Sequence, residues 1–455
     1  MRILYFVQYF NLPDEPGGSR AYQFARAWTR SGHFVTIVTG AVNHKTLEVA
    51  PRYRGRIVTE ERIDGIRVLR SWSYAGIRGS YRKRLLNFLS FALVASVVGT
   101  LRGGRADVVY ASSTPLTVGI PGWIAAFFRR APLFFEVRDL WPQSAVAAGV
   151  LRSAAPLTRA ASGLARFLYT RAARVVAVTR GIAAGVVAEG IPAEKVLFIP
   201  NGVDDWMVDS GNSRGALPDP AGAGHAAQSG RTMGSGHVPG SGDSGEPGVF
   251  RLVYCGAHGV WNGLGQILDA AVLLREEPIE FVFIGDGDER ENLMARARRE
   301  GLANMRFVGA IPKREAFERL RSASACIVVT WKHPFQKMVL ANKIFDYLAA
   351  ARPVVVAAEG EMAELVREAA CGVIAPPEEP DRLAEAIRQL VRMDAAEREA
   401  LGRRGREHIL RHYRRADLAD ALAERFAEVT HAAGRGSPSS ASERAEPKRR
   451  EAGSA

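Results

Sequence analysis

The sequence predicts an α/β protein made of two doubly wound parallel sheets facing a central cleft. Three observations lead there. Residues 1–205 alternate short apolar strands with helical stretches. Residues 250–430 do so again. Between them lies a Gly-, Ser- and Pro-rich stretch almost without large apolar residues. Near-continuous apolar strands separated by helices are the mark of a parallel sheet covered on both faces. At 455 residues the chain has the length for two or three domains with their own cores.

In the first half the expected strands are Ile3–Val7, Phe34–Thr39, Ile66–Arg70, Val108–Ala111, Leu133–Val137, Val175–Val178 and Val196–Ile199. Each is a short apolar run rich in β-branched or aromatic residues. Helical periodicity places helices at Ser19–Ser31, Arg84–Leu101, Leu116–Arg129, Pro156–Ala172 and Arg180–Glu189. Met1–Val7 could open a signal peptide, but the run is short and no small-residue cleavage site follows, so it reads as a first core strand. Asn201-Gly202-Val203-Asp204 closes this half with turn chemistry. Residues 209–248 cannot bury enough apolar surface to offset ordering, which predicts a disordered linker.

The second half, 249–398, repeats the pattern. Strands are expected at Arg251–Cys255, Ile279–Ile284, Met305–Val308, Ala325–Val329, Val354–Ala357 and Gly372–Ala375. Helices are expected at Leu264–Arg275, Glu289–Glu300, Arg314–Ser322, Asn342–Ala350, Met362–Ala369 and Pro380–Met393. Further helices occupy 399–431, and the Ser-, Gly-, Pro- and charge-rich tail 432–455 reads as disordered.

The net charge is +13, largely Arg spread over helical segments. That spread suits anionic ligands or an anionic membrane surface, and no nucleic-acid-reading motif accompanies it. Three cysteines in apolar surroundings form no CxxC, and the nine histidines show no ligand spacing, so neither disulfides nor a structural metal is expected. Leu85–Leu101 is a hydrophobic run flanked by Arg82-Lys83-Arg84 and Arg102, at the lower limit of length for a bilayer span. Its Asn87, Ser90, Ser96 and Thr100, and its place between core strands, favour a buried or interfacial helix.

The most informative stretch runs from Pro334 to Glu368. Asn342-Lys343-Ile344-Phe345-Asp346-Tyr347 opens a helix, an apolar strand follows, and then Gly360-Glu361. Helix-start amides attract phosphate, and a carboxylate there accepts bonds from paired ribose hydroxyls. Lys343 lies one turn before Asp346, on nearly the same face. An ordinary αβ unit with solvated charges would look similar.

In order along the chain stand Gly17-Gly18, Glu136-Val137-Arg138-Asp139-Leu140-Trp141-Pro142, Ile199 to Asp204, Tyr254-Cys255-Gly256, Ile284-Gly285-Asp286-Gly287 with Glu291, the Asn342 to Tyr347 run, and Cys371-Gly372 with Pro376. This ordered set resembles the retaining glycosyltransferases of family 4, which have the GT-B fold of two Rossmann-like domains. It looks most like the branch of capsule, O-antigen and colanic acid synthesis that includes the L-fucosamine transferase type. The resemblance implies a nucleotide-sugar donor, most simply a UDP-sugar, and a lipid-linked glycan acceptor. It implies transfer with retention, no metal or other cofactor, and peripheral residence on the cytoplasmic face of the plasma membrane. Two departures stand out. Members often carry two glutamates eight residues apart; Asp346 matches the second, and Met338 holds the place of the first. Members often carry Arg and Lys where this chain has Ala257 and Asn262.

On this resemblance Arg138, Asp139 and Lys343 are the catalytic candidates. Gly17, Gly18, Gly256, Gly285, Gly309, Ile311, Asn342, Lys343, Asp346 and Glu361 are the donor-binding candidates. Lys337 is a further nearby cation, and Glu136 is either functional or paired with an Arg. Two other readings share these features: a sugar-nucleotide 2-epimerase of the same fold, and a non-catalytic membrane-bound nucleotide-sugar binder.

Overall fold

The structure, a computed structural model, describes residues 1–13, 15, 18–43, 48–75, 81–209, 249–432 and 434. Gly17, nearly all of the expected linker and nearly all of the expected tail lie outside the described residues.

The first sheet has strands β1 (Arg2–Val7), β2 (Phe34–Gly40), β3 (Val58–Ile63), β4 (Ile66–Ser71), β5 (Val108–Ser112), β6 (Leu133–Val137), β7 (Arg174–Ala177) and β8 (Val196–Phe198), in the order β3-β4-β2-β1-β5-β6-β7-β8. The second has β9 (Phe250–Cys255), β10 (Ile279–Ile284), β11 (Met305–Gly309), β12 (Ala325–Val329), β13 (Val354–Ala357) and β14 (Gly372–Ala375), in the order β11-β10-β9-β12-β13-β14. The first half contributes helices α1 (Arg20–Arg30), α2 (Tyr81–Arg102), α3 (Gly119–Arg129), α4 (Gln143–Ala147), α5 (Pro156–Arg171), α6 (Arg180–Ala188) and α7 (Asp205–Asp209). The second contributes α8 (Gly265–Leu273), α9 (Arg290–Arg299), α10 (Lys313–Arg321), α11 (Asn342–Ala349), α12 (Glu361–Ala369), α13 (Pro380–Arg392), α14 (Ala395–His412) and α15 (Arg415–Ala432).

Both sheets are covered on two faces, as apolar strands of period two require. Along β1, Leu4 and Phe6 enter one core while Ile3, Tyr5 and Val7 enter the other. Along β9, Val253 faces one core and Leu252 and Tyr254 the opposite one. Strand order reverses between β1 and β5 in the first sheet and between β9 and β12 in the second. In open α/β sheets such reversals leave a ligand crevice beyond the strands' carboxyl ends.

The first sheet departs from the all-parallel expectation at one edge, where β3 pairs antiparallel with β4. Val58-Thr-Glu-Glu-Arg-Ile63 has no continuous apolar run, because an edge strand can keep charges. The hairpin signal was Asp64-Gly65, whose φ values of 48° and 81° suit a tight turn.

Helix α2 lies against the sheet through Phe91, Ala92, Ala95 and Val98. Buried Asn87 ties it to the end of β1: Gln8 donates to Asn87 Oδ1 at 2.6 Å, and Asn87 donates to the Tyr74 carbonyl at 2.7 Å. Its other face is exposed and apolar, with Leu93 70% and Leu101 77% exposed. It has the length and hydropathy of a span but the packing of a half-buried helix.

The last helix returns to the first half. On α15, Phe426 packs against Trp28, Tyr110 and Phe134, and Trp28 Nε1 donates to the Ala419 carbonyl at 2.7 Å. The chain therefore crosses between halves twice, near Val203 and near Arg414, and the crossings bond to each other. Val203 N donates to the Tyr413 carbonyl at 2.9 Å and Arg415 N to the Val203 carbonyl at 3.2 Å.

Candidate active site

The two sheet crevices face each other. Cavities of about 430 and 350 Å³ occupy the cleft and share Tyr9, Thr114, Asp139, Phe335, Val339 and Ala341. Strand ends from both halves reach them: Val7 and Ser113 on one side, Val329 and Thr330 on the other.

Lys343 projects from the first turn of α11 into the larger cavity. Its ammonium donates to Tyr254 Oη at 2.7 Å and to Asn262 Oδ1 at 2.6 Å. Among the described residues no carboxylate pairs with it. Burial alone then lowers its pKa from the ordinary lysine value to about 7. A Cβ on Gly256 would sit 3.0 Å from Lys343 Cε, so the glycine leaves the side chain its path. Asn262, which stands where relatives of the resembled family often carry Lys, instead aims Lys343 and anchors itself by donating to the Ala257 carbonyl at 2.9 Å. In the sequence Asn262 is a departure from the resembled pattern; its contact with Lys343 shows only once α11 folds back over β9. Ala341 supplies no side-chain cap to α11, and Ala341 and Asn342 line the cleft. Below this shelf His258 is fully buried among Tyr254, Phe283 and Phe307, and burial with nearby Arg290 lowers its pKa to about 4.

On the opposite wall Asp139 lines both cavities and Arg138 the smaller one. Burial raises the Asp139 carboxyl to about 6, against the pull of Arg138. Gly18 lines the same crevice, and a Cβ there would meet nothing within 4 Å. Asn201, buried in the cleft wall, has an Oδ1 without a partner among the described residues. Glu136 belongs to the frame. Its fully buried carboxylate accepts from Arg20 at 2.7 and 3.0 Å and from Ser112, while Arg20 also donates to the Pro200 carbonyl at 2.6 Å.

Asp346 lines neither cavity. It lies 3.8 Å from Lys313, whose ammonium donates to Asp204 at 2.6 Å. Burial raises the Asp346 pKa, and Lys313 opposes the rise. Asp204 is fully buried between halves, bonded to Ser19, Lys313 and Arg415; burial would raise its pKa, but those cations hold it at about 2. Glu361 also bridges the halves. Its carboxylate accepts the first amides of α6, from Arg180 at 2.9 Å and Gly181 at 2.5 Å, where a helix start favours negative charge. Lys337 pairs with Glu359 at 3.0 Å. Met338 packs against the first half's core, and Gly181 is the position that admits it: a Cβ there would lie 2.6 Å from Met338 Cβ.

Gly285 and Gly309 line neither cavity. A Cβ on Gly285 would fall 1.9 Å from the Gly256 carbonyl oxygen, and Gly285 N donates to the Gly309 carbonyl at 2.8 Å. These glycines, both at positive φ, let the β9, β10 and β11 ends press together under Lys343. Ile311 packs on the core beside α11.

Residues 17–202 match the glycosyl transferase 4-like domain, and residues 249–393 match the glycosyl transferases group 1 domain. Its two halves are glycosyltransferase domains. WbjE of Pseudomonas aeruginosa, named a probable glycosyltransferase, is 24% identical over 305 residues, 67% of this chain and 70% of WbjE. WcaI of Escherichia coli (strain K12), provisionally named a colanic acid biosynthesis glycosyl transferase, is 26% identical over 226 residues, 47% of this chain and 48% of WcaI. The fold of this glycosyltransferase is GT-B. The crystal structure of Anabaena Alr3699/HepE in complex with UDP superposes with a TM-score of 0.64 at 17% identity, covering 94% of this chain and 100% of that one.

Proposed function

We propose that the protein transfers a sugar, with retention, from a UDP-sugar to a lipid-linked glycan in cell-surface polysaccharide synthesis. The observation that carries this reading is Lys343: a cation held at a helix start in the cleft, with neutral partners and, among the described residues, no carboxylate. Such a group lacks the counter-charge that a diphosphate brings. It would stabilise charge developing on the leaving group, where preorganised donors are most effective. Solved GT-B relatives in complex with UDP, UDP-glucose and UDP-2-fluoro glucose support the choice of donor. The names of WbjE and WcaI support the setting.

In this reading Asn342 and the uncapped amides of α11 join Lys343 around the diphosphate, and Asp346 exchanges Lys313 for the ribose hydroxyls. Gly285, Gly309 and Ile311 shape the base side through the loops they build. Glu361 holds the halves in register. Arg138 and Asp139, on the facing wall, orient the sugar and the acceptor hydroxyl, whose proton passes to the leaving diphosphate. Charge is handled by Lys343, and the transfer requires no metal. Helices α2, α3 and α5 contain no Asp or Glu and together carry seven Arg, beside the exposed apolar face of α2. That face rests on the anionic inner surface of the plasma membrane.

The test is calorimetry of UDP, GDP and their sugars with excess chelator. UDP should bind wild type, and Asp346→Ala should weaken it by about tenfold or more, since hydrogen bonds to a charged group contribute roughly 1.5–3 kcal/mol each. No nucleotide binding by folded protein would sink the reading. Binding that appears only when metal is restored would end metal independence. Gly18→Ala separates ligand approach from fold: the open space predicts a melting temperature within about 1 °C of wild type. Turnover should nevertheless fall by roughly tenfold, because a methyl there would meet the ligand and not the protein. Unchanged turnover would remove Gly18 from the site.

A further inference from the structure

Between α2 and α5 lies a separate groove of about 210 Å³, which the donor chemistry leaves unused. Leu85, Phe88 and Leu89 of α2 form one side, and Leu157, Ala161 and Leu164 of α5 the other. Apart from the Thr117 hydroxyl and the Trp141 indole, its lining side chains are apolar. The groove is not a blind pit. Phe88, Pro115 and Trp141 line both it and the cleft, and Arg84, next to Leu85 on α2, lines the cleft at that same end. Its outer side adjoins the exposed apolar stripe Leu86, Leu89, Leu93, Val97 and Leu101.

We infer that this groove holds the first isoprene units of a polyprenyl-diphosphate acceptor, with the diphosphate against Arg84 at the junction with the cleft. The inference rests on the acceptor class proposed above and assigns it a place. Three features select this occupant. An apolar slot takes hydrocarbon and rejects a sugar, whose hydroxyls would go unpaired there. Arg84 puts positive charge at the cleft end, where a diphosphate head would lie. The continuity with the cleft brings the head, and the glycan beyond it, to Asp139 and Lys343. The acyl chain of an ordinary phospholipid would gain nothing from a route into the cleft, because its head group belongs at the bilayer surface.

The full chain, with its donor site saturated by UDP, is titrated with farnesyl diphosphate and separately with inorganic diphosphate. Farnesyl diphosphate should bind at least about tenfold more tightly, since each buried methylene adds to the hydrophobic gain. Ala160→Trp, at the exposed rim of the groove, and Leu157→Asp should each abolish that difference. Both should keep wild-type melting and UDP affinity, because neither residue is fully buried. Equal affinity for the two probes, or an advantage that survives both substitutions, would overturn the assignment. So would displacement of farnesyl diphosphate by an equal concentration of short-chain phosphatidylglycerol, which would give the groove to membrane lipid. Failure of UDP to bind at the outset would instead count against the donor reading.

Discussion

Lys343→Met should abolish most of the transfer activity while leaving the fold intact. Removing one preorganised stabiliser of developing charge typically costs about 10²–10³ in turnover. The methionine keeps the volume, and Tyr254 and Asn262 each retain a protein partner or solvent. The same side chain predicts a pH signature. Burial lowers its pKa to about 7 in the free protein, and a diphosphate bound beside it should reverse that shift. Above pH 7 the free protein therefore holds Lys343 neutral, and UDP binding must take up a proton. Affinity should fall as pH rises from 7 towards 9, by at most about tenfold per unit. Calorimetry at pH 8 in buffers of different ionisation enthalpy should show close to one proton taken up, and none in Lys343→Met. The sign for stability runs the other way. The unfolded chain binds the proton more tightly, so the destabilisation from burying Lys343 is full below pH 7 and fades towards its unfolded value. A flat proton count across pH 7–9 would remove Lys343 from contact with the diphosphate.

Arg20→Met is expected to be the most destabilising single change in the first half. It leaves the Glu136 carboxylate fully buried without its cationic partner, still accepting from Ser112, and frees the Pro200 and Ile199 carbonyls. Breaking a buried pair by removing one partner costs about 3–5 kcal/mol. For a domain of this size that is roughly 6–20 °C in melting temperature. In wild type, burial pushes the Glu136 pKa up, but Arg20 and Arg138 outweigh it and hold the carboxyl below its ordinary value. The pair's stabilisation is thus present above the unfolded glutamate value and lost as pH falls. In the variant Arg138 and Ser112 still oppose burial, but without Arg20 the carboxyl's pKa lies above its wild-type value. Thermal scans should therefore show the deficit narrowing from pH 8 to pH 5. A deficit that is equal at both values would mean that Glu136 never carried charge.

Local signals made the frame of this protein readable. Apolar runs such as Leu133–Val137 and Val354–Ala357 are strands because each is buried on both faces, a demand written in consecutive residues. Lys343 and Asp139 were legible for a related reason: each sits just beyond or within a helix–strand unit whose edge faces the cleft. Charged β3 was not, since its only mark was a two-residue turn. Nor were contacts made across the fold. Glu361 resembles a ligand-binding acid until α6 of the other half appears at its carboxylate. Asp204 looks like a turn residue until Lys313 and Arg415 close on it from residues more than a hundred positions away. Whether a carboxylate meets a ligand or another part of the chain depends on partners that no local pattern encodes.

The paired crossings near Val203 and Arg414 limit how the cleft can open. A single connecting strand would let one half swivel and twist against the other. Two strands laced together by backbone hydrogen bonds resist twisting, because any such motion would break the lacing. What remains is bending about their shared line, like a book on its spine. Closing of that kind would bring Lys343 back to the same place across the cavity from Asp139, so substrates could come and go while the facing walls kept their register.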